Sequence, residues 1–226
     1  MQTALLIGAT GLVGDYLLRQ LLSDPRFDRI KVFTRRPSGY QNPDKLEEHL
    51  IDFDHPEQWQ HLLTGDVLFS ALGTTLRQAG SNDAQYKVDY TYQFRVAEAA
   101  AQNGVKTYVL VSSAGADAEA FVFYSRMKGK LEQDIKGLPF QCIRILQPGM
   151  LAGHRHEPRL AERLALPLAA LAGYLPGLQQ YRPIHGREVA QAMINAALDE
   201  KPGVQTDTLE GVFRRAENRQ QTSQGQ

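Results

Sequence analysis

Gly8-Ala9-Thr10-Gly11-Leu12-Val13-Gly14 is the stretch on which the fold turns. Directly before it, Thr3-Ala4-Leu5-Leu6-Ile7 is continuously apolar, the pattern of a strand buried on both faces of a parallel sheet. Directly after it, Leu17, Leu18, Leu21 and Leu22 recur at helical spacing until Asp24-Pro25 ends the helix. A turn at this place presents backbone N–H groups at a helix N-terminus, where the helix dipole also favours anions. Glycines there let the chain approach a pyrophosphate where a Cβ would stand in the way. The spacing is G-x-x-G-x-x-G, and a chain with 19 glycines in 226 residues holds such a triplet by chance in roughly one case in eight. Its position between strand and helix therefore carries the reading. The alternative is a turn that only packs helix on sheet.

Outward from this turn, strand and helix alternate. Apolar runs at 30–33, 49–53, 66–72, 107–113 and 140–147 read as further strands, and residues 57–63, 82–102 and 124–136 as helices. This rhythm implies right-handed crossovers and an α/β, doubly wound parallel sheet. After Pro148-Gly149 it loosens. Residues 157–173 read as helical around Pro167, 187–199 as a helix and 204–209 as a last strand. Residues 1–213 are thus expected to form one dinucleotide-binding domain, with a short substrate-binding region at about 150–186. The polar tail 214–226 is expected to fray.

The 25 basic and 25 acidic side chains cancel, which gives no reason to expect nucleic acid or an anionic membrane surface as a partner. Cys142 is the one cysteine, so no intrachain disulfide forms, and its apolar neighbours suggest a buried, inert thiol. The greasy stretch 164–176 is too short and too proline-broken to span a bilayer. With no leader pattern at the start, a cytoplasmic protein is expected.

The end of the second strand bears on the cofactor. An acid about 20 residues after the glycines binds the ribose of NAD, whereas arginine accommodates a 2′-phosphate. Arg35 and Arg36 stand 21 and 22 residues beyond Gly14 with no acid beside them. Guanidinium suits bidentate phosphate binding, so NADPH is expected over NADH, the alternative being two solvated strand-end arginines. Asp52 and Phe53 are candidates to flank the adenine.

Tyr124 and Lys128 are four residues apart, hence on one helix face, and follow a strand that ends at Ser112-Ser113. In an open parallel sheet, ligands sit at the carboxyl ends of strands. Reducing a carbonyl requires a proton donor for the oxygen that becomes an alcohol. A tyrosine with an ammonium one turn away fits that need, because the cation favours phenolate. Lys128 can also bond a cofactor ribose, and Ser113 or Ser112 can polarise a substrate oxygen. The plain alternative is a tyrosine and a solvated lysine sharing a helix face.

These stretches together resemble the short-chain dehydrogenase/reductase superfamily. The likeness rests on the glycine turn, the strand-end arginines, Val111-Ser112-Ser113 with Gly115-Ala116-Asp117, Tyr124 with Lys128-Gly129, and Arg144 with Pro148-Gly149. With Ala71-Leu72-Gly73-Thr74-Thr75, Val88-Asp89 and Arg187 with Val189-Ala190, the chain is more narrowly similar to the atypical branch that contains the Tat-interacting oxidoreductase-like proteins. The resemblance implies a Rossmann domain for NADPH with Tyr124, Lys128 and a serine, by pattern Ser113, as the active triad. It places Leu72, Gly73 and Thr74 beside the cofactor ribose and Pro148 and Gly149 beside the nicotinamide. Asp89 stands where many members carry an asparagine that supports a proton relay; an aspartate could hold a water or cap packing against the sheet.

The expected function is an NADPH-dependent oxidoreductase acting on a small carbonyl or alcohol, with Tyr124 as acid/base. The alternative is an NADPH-binding regulatory or interaction protein without turnover. No metal is expected at Gly153-His154-Arg155-His156, which lacks a third ligand and reads as a polar loop. His185 is either structural or faces the substrate. Residues 164–175 read as a lid or packing helix, or as a contact for a homo-oligomer.

Overall fold

The computed structural model describes residues 1–152 and 182–217. The stretches at 153–156, 157–173 and 164–175 singled out above lie outside them.

Seven strands form one sheet in the order β3-β2-β1-β4-β5-β6-β9, every neighbouring pair parallel. They are β1 (Gln2–Ile7), β2 (Phe27–Thr34), β3 (Leu46–Leu50), β4 (Val67–Ser70), β5 (Thr107–Val111), β6 (Cys142–Gln147) and β9 (Gly203–Thr208). A separate parallel pair joins β7 (Leu151–Ala152) to β8 (Ile184–His185). The chain runs outward from β1 to β3, returns to β4 on the other side of β1, and runs outward again. The order therefore reverses between β1 and β4, and a crevice opens there at the strands' carboxyl ends.

Alternation along the buried strands explains their unbroken apolar runs. Ala4 and Leu6 of β1 face one core with Val32, Val67 and Phe69, covered by α1 (Leu12–Ser23), α7 (Gly186–Ala197) and α8 (Glu210–Glu217). Leu5 and Ile7 face a second core with Leu68, Leu110 and Ile145, covered by α5 (Gln93–Gln102) and α6 (Phe123–Lys136). A strand buried on both faces has no polar register to show. The doubly wound fold is as the sequence led one to expect.

Several boundaries differ. The third strand ends at Leu50, not at Phe53; it lies at the sheet edge and is only half-buried, so its apolar pattern is weak. The expected helix at 57–63 is a short α-helix α2 (Pro56–Trp59) followed by one 3₁₀ turn. A short α3 (Leu76–Ala79) follows β4. The long helix expected over 82–102 is α4 (Asn82–Tyr86) and α5 joined by a π-helical segment, Lys87–Tyr92. Of the tail expected to fray from 214, residues 214–217 lie in α8, which continues to Glu217, and the remainder lies outside the described residues. Arg215 of α8 pairs with Asp207 at 2.8 Å and Asp199 at 3.0 Å. Cys142 is buried in β6. Arg144 is wholly buried, donating to the carbonyls of Ile143, Asp199, Lys201 and Gly203, and so stitches the end of α7 to β9. No helix among the described residues is long and apolar enough to cross a membrane.

Candidate active site

The glycine turn lies at the reversal in strand order, and two of its glycines are required by close approach. Gly8 adopts φ +85°, and a Cβ there would stand 2.4 Å from the backbone of Ala71 and Leu72 at the end of β4. A Cβ on Gly14 would stand 2.0 Å from the Gly8 carbonyl oxygen. Gly11 is looser: its N–H donates to Gly8 O at 3.0 Å, and it occupies the N-cap of α1, where no side chain caps the helix. The leading N–H groups of α1 are thus left to a ligand. Ala9 and Val13 are buried and anchor the turn to the core, while Thr10 and Gly11 face solvent. Leu12 packs on α7, where a Cβ at Gly186 would lie 3.1 Å from its Cγ. This cradle fits a dinucleotide pyrophosphate.

Arg35 and Arg36 follow β2 directly and are exposed, and neither guanidinium pairs with a described residue. The adenine candidates separate. The Asp52 side chain is exposed, accepting from the Asp54 N–H, while Phe53 is buried, its ring 5.1 Å from that of Tyr92 and 6.0 Å from Trp59. Phe53 is therefore a core residue and offers no face to a base.

At the other side of the crevice, Lys128 and Asp89 form an ion pair at 3.2 Å with both side chains almost completely buried. The second Asp89 oxygen accepts from the Thr74 N–H at 2.8 Å. One carboxylate thus ties the lysine to the turn Leu72-Gly73-Thr74, and Gly73 lies against it, a Cβ there being 3.2 Å from Asp89 Oδ1. Burial works to lower the Lys128 ammonium, yet Asp89, with smaller help from Tyr124 and Glu132, carries it above the ordinary lysine value. The π-helical segment turns Asp89 inward. Its carbonyl accepts from the Gln93 side chain at 2.7 Å, and Gln93 in turn accepts from Ser70 at 2.7 Å. A π segment of this kind recurs at functional sites.

Tyr124, on the first turn of α6, is half-buried, with Lys128 Nζ 6.0 Å from its ring centroid. The lysine's neighbour Gly129 is also required. A Cβ there would stand 2.2 Å from the Asp117–Ala118 backbone, so the loop after β5 rests on α6 at that point. The two serines diverge. The Ser112 hydroxyl donates to the buried Glu132, which also accepts from Gln147 at 2.9 Å. Among the described residues, the Ser113 hydroxyl makes only a long local contact, 3.4 Å to the Ala114 carbonyl. Ser112 is therefore occupied in packing and Ser113 is the one available. Pro148 O accepts from the Ala114 N–H at 2.9 Å, which joins the β5 and β6 ends, and Gly149 lies against Leu209. His185 is exposed at the N-cap of α7, its ring edge-on to Tyr16 at 5.9 Å. No group of metal ligands occurs among the described residues.

Glu132 was not legible as a participant, although Tyr124, Lys128 and Glu132 repeat at spacing four. That stripe was the signal.

A family model described as NAD(P)H-binding matches residues 8–141. The chain belongs to the NAD(P)H-binding family. It is 36% identical over 204 residues to "Protein fmp52-1, mitochondrial" of Aspergillus oryzae, spanning 88% of this chain and 87% of that one. It is 36% identical over 208 residues to "Protein FMP52, mitochondrial" of Saccharomyces cerevisiae, spanning 86% and 87%. Among solved structures, a short-chain dehydrogenase/reductase superfamily protein from Agrobacterium tumefaciens with bound NAD superposes with a TM-score of 0.67. It is 17% identical and covers 92% of this chain and 77% of that one. The domain is thus an NAD(P)-binding Rossmann domain with the short-chain dehydrogenase/reductase fold. Both relatives are named mitochondrial, which overturns the cytoplasmic expectation.

Proposed function

We propose that this family member is an NADPH-dependent oxidoreductase for a small carbonyl or alcohol, of the atypical, Tat-interacting-like branch. The observation that carries the reading is the chain of contacts Tyr124–Lys128–Asp89–Thr74, with the Lys128–Asp89 pair buried at its centre, at the reversal in strand order and opposite the phosphate cradle. Bound NADPH supplies a hydride. Tyr124 Oη gives a proton to the substrate oxygen in reduction and takes it back in oxidation, while Ser113 Oγ donates to the same oxygen and orients it. Lys128 supplies positive charge beside the phenol and a donor for a ribose hydroxyl, held in place by Asp89. Arg35 and Arg36 bind the 2′-phosphate, and Pro148 and Gly149 wall the nicotinamide side.

The test is NADPH oxidation across a panel of small aldehydes and ketones, with Tyr124→Phe and Ser113→Ala beside the wild type. Tyr124→Phe is expected to lower turnover by about 10²-fold or more while NADPH binding is unchanged. Equal turnover in the variant refutes the role.

The Asp89–Lys128 pair also favours a second reading. A buried carboxylate against the lysine offsets the charge that would promote phenolate. On this reading the protein binds NADPH as a regulatory or interaction module. Tight NADPH binding with no oxidation across the panel would select it.

A further inference from the structure

We propose that Tyr40 is a positioning residue for cofactor choice: by clasping the loop that carries Arg35 and Arg36 onto the start of α1, it makes the site prefer a dinucleotide with a 2′-phosphate. This rests on the NADPH reading above.

The loop between β2 and β3 is held at its far end by Lys45, whose Nζ donates to the Leu22 and Asp24 carbonyls at 3.0 and 2.7 Å, and at three points nearer the arginines. At its start the Thr34 hydroxyl donates to the Arg36 carbonyl at 2.8 Å. In its middle the Ser38 N–H donates to Glu48 of β3 at 2.8 Å. Beyond that it crosses to α1, where the Tyr40 hydroxyl donates to Asp15 Oδ1 at 2.6 Å and itself accepts from Arg19 Nε. Arg19 also pairs with Asp15 at 3.2 Å and lies 5.5 Å from the Tyr40 ring centroid. Asp15 directly follows Gly14, so the clasp joins the loop bearing the arginines to the turn that cradles the pyrophosphate.

Two effects follow for a phosphorylated ribose. Ordering the loop in the free protein removes part of the entropy that binding would otherwise cost. The clasp also settles the local charges. Asp15 is engaged by Tyr40 and Arg19, and Glu48 by the Ser38 N–H, so neither carboxylate takes Arg35 or Arg36, whose guanidiniums pair with no described residue. Both remain for an anion. The hydrogen bond to a carboxylate is of the stronger, charge-assisted kind.

Tyr40→Phe deletes one oxygen and tests this directly. Dissociation constants for NADPH and NADH are measured by titration of the full chain, with the melting temperature as a check on folding. In the variant the NADPH constant should rise about three- to tenfold, since each tenfold corresponds to about 1.4 kcal/mol. The NADH constant should stay within about twofold, because NADH carries a 2′-hydroxyl where NADPH carries the 2′-phosphate that the arginines would meet. Asp15→Ala should repeat the effect. Asp15→Asn keeps an oxygen acceptor for Tyr40 but neither the charge-assisted bond nor the Arg19 ion pair, and should weaken NADPH binding less than Asp15→Ala does. Parallel loss of NADPH and NADH affinity, or no loss of either, overturns the clasp while leaving the NADPH reading intact. A wild type that binds both cofactors equally overturns the NADPH reading, and the clasp with it.

Discussion

Gly11 and Gly14 look alike in the sequence, and the structure separates them by a contact distance. A Cβ on Gly14 would lie 2.0 Å from the Gly8 carbonyl oxygen, against 3.4 Å for ordinary contact, so the start of α1 must retreat by more than an ångström. The same Cβ on Gly11 would lie 3.3 Å from that oxygen, a distance small adjustments absorb. Overpacking of this severity costs about 3 kcal/mol, and replacing glycine by alanine inside a helix returns about 1 kcal/mol. Gly14→Ala should thus lose about 2 kcal/mol net, which for a chain of this length is a fall in Tm of roughly 4–8 °C. The N–H groups of the first turn move with the helix, beyond hydrogen-bond geometry for a pyrophosphate. Wild type with NADPH at a hundredfold excess over Kd should gain about 2.7 kcal/mol; Gly14→Ala should gain almost nothing. Gly11→Ala should keep most of that gain and lose about 1 kcal/mol for the poorer N-cap. Thermal melts of the three proteins with and without NADPH decide the matter. A Gly14→Ala protein with the wild-type Tm and NADPH shift, or a Gly11→Ala protein as damaged as Gly14→Ala, would refute the argument from close approach.

Two further outcomes are expected. Lys128→Met leaves Asp89 buried without its cation and should cost about 3 kcal/mol or more in urea unfolding. Adding Asp89→Asn should recover at least half of that loss; equal instability of the single and double variants would show that the pair is not the cause. For Asp199, burial works to raise the carboxyl, but the Arg215 hydrogen bond, with the Lys201 N–H and Arg144, brings it below the ordinary carboxylate value. A depressed folded-state value contributes stability above the unfolded pKa of about 3.9, lost as pH falls through the folded value. The gap in urea midpoint between wild type and Arg215→Met should therefore close as pH drops below about 4. A gap that persists at the lowest pH at which both proteins fold would contradict this.

The central strands were legible because burial on both faces leaves an apolar run that composition alone reveals, as in Ala4 to Ile7. The edge strand β3 was legible in existence but not in its bounds, because half-exposed residues follow no such rule and the apolar Phe53 pointed beyond its true end. The phosphate cradle could be read because glycine is the residue a close approach requires. Tyr124 and Lys128 could be paired because helical spacing is fixed at 3.6 residues per turn. The Ser112–Glu132 bond and the Asp89–Lys128 pair could not be read, since both join elements far apart in the chain. The π-helical segment at 87–92 has no sequence signature that a 3.6-residue pattern would expose.

That segment gives the site an unusual evolutionary geometry. An α-helix advances about 100° per residue, and a π turn accommodates one residue more than an α turn. In-frame loss of a single codon between Lys87 and Tyr92 would restore an uninterrupted α-helix and leave the flanking turns, Asn82–Tyr86 and Gln93–Gln102, with the faces they present now. A residue lost between Asp89 and Gln93 would set the two three apart rather than four, still on one face, and the bond from the Gln93 side chain to the Asp89 carbonyl would have to re-form on that spacing. The buried acid that holds Lys128 thus sits in a turn that carries one residue more than the helix on either side of it needs.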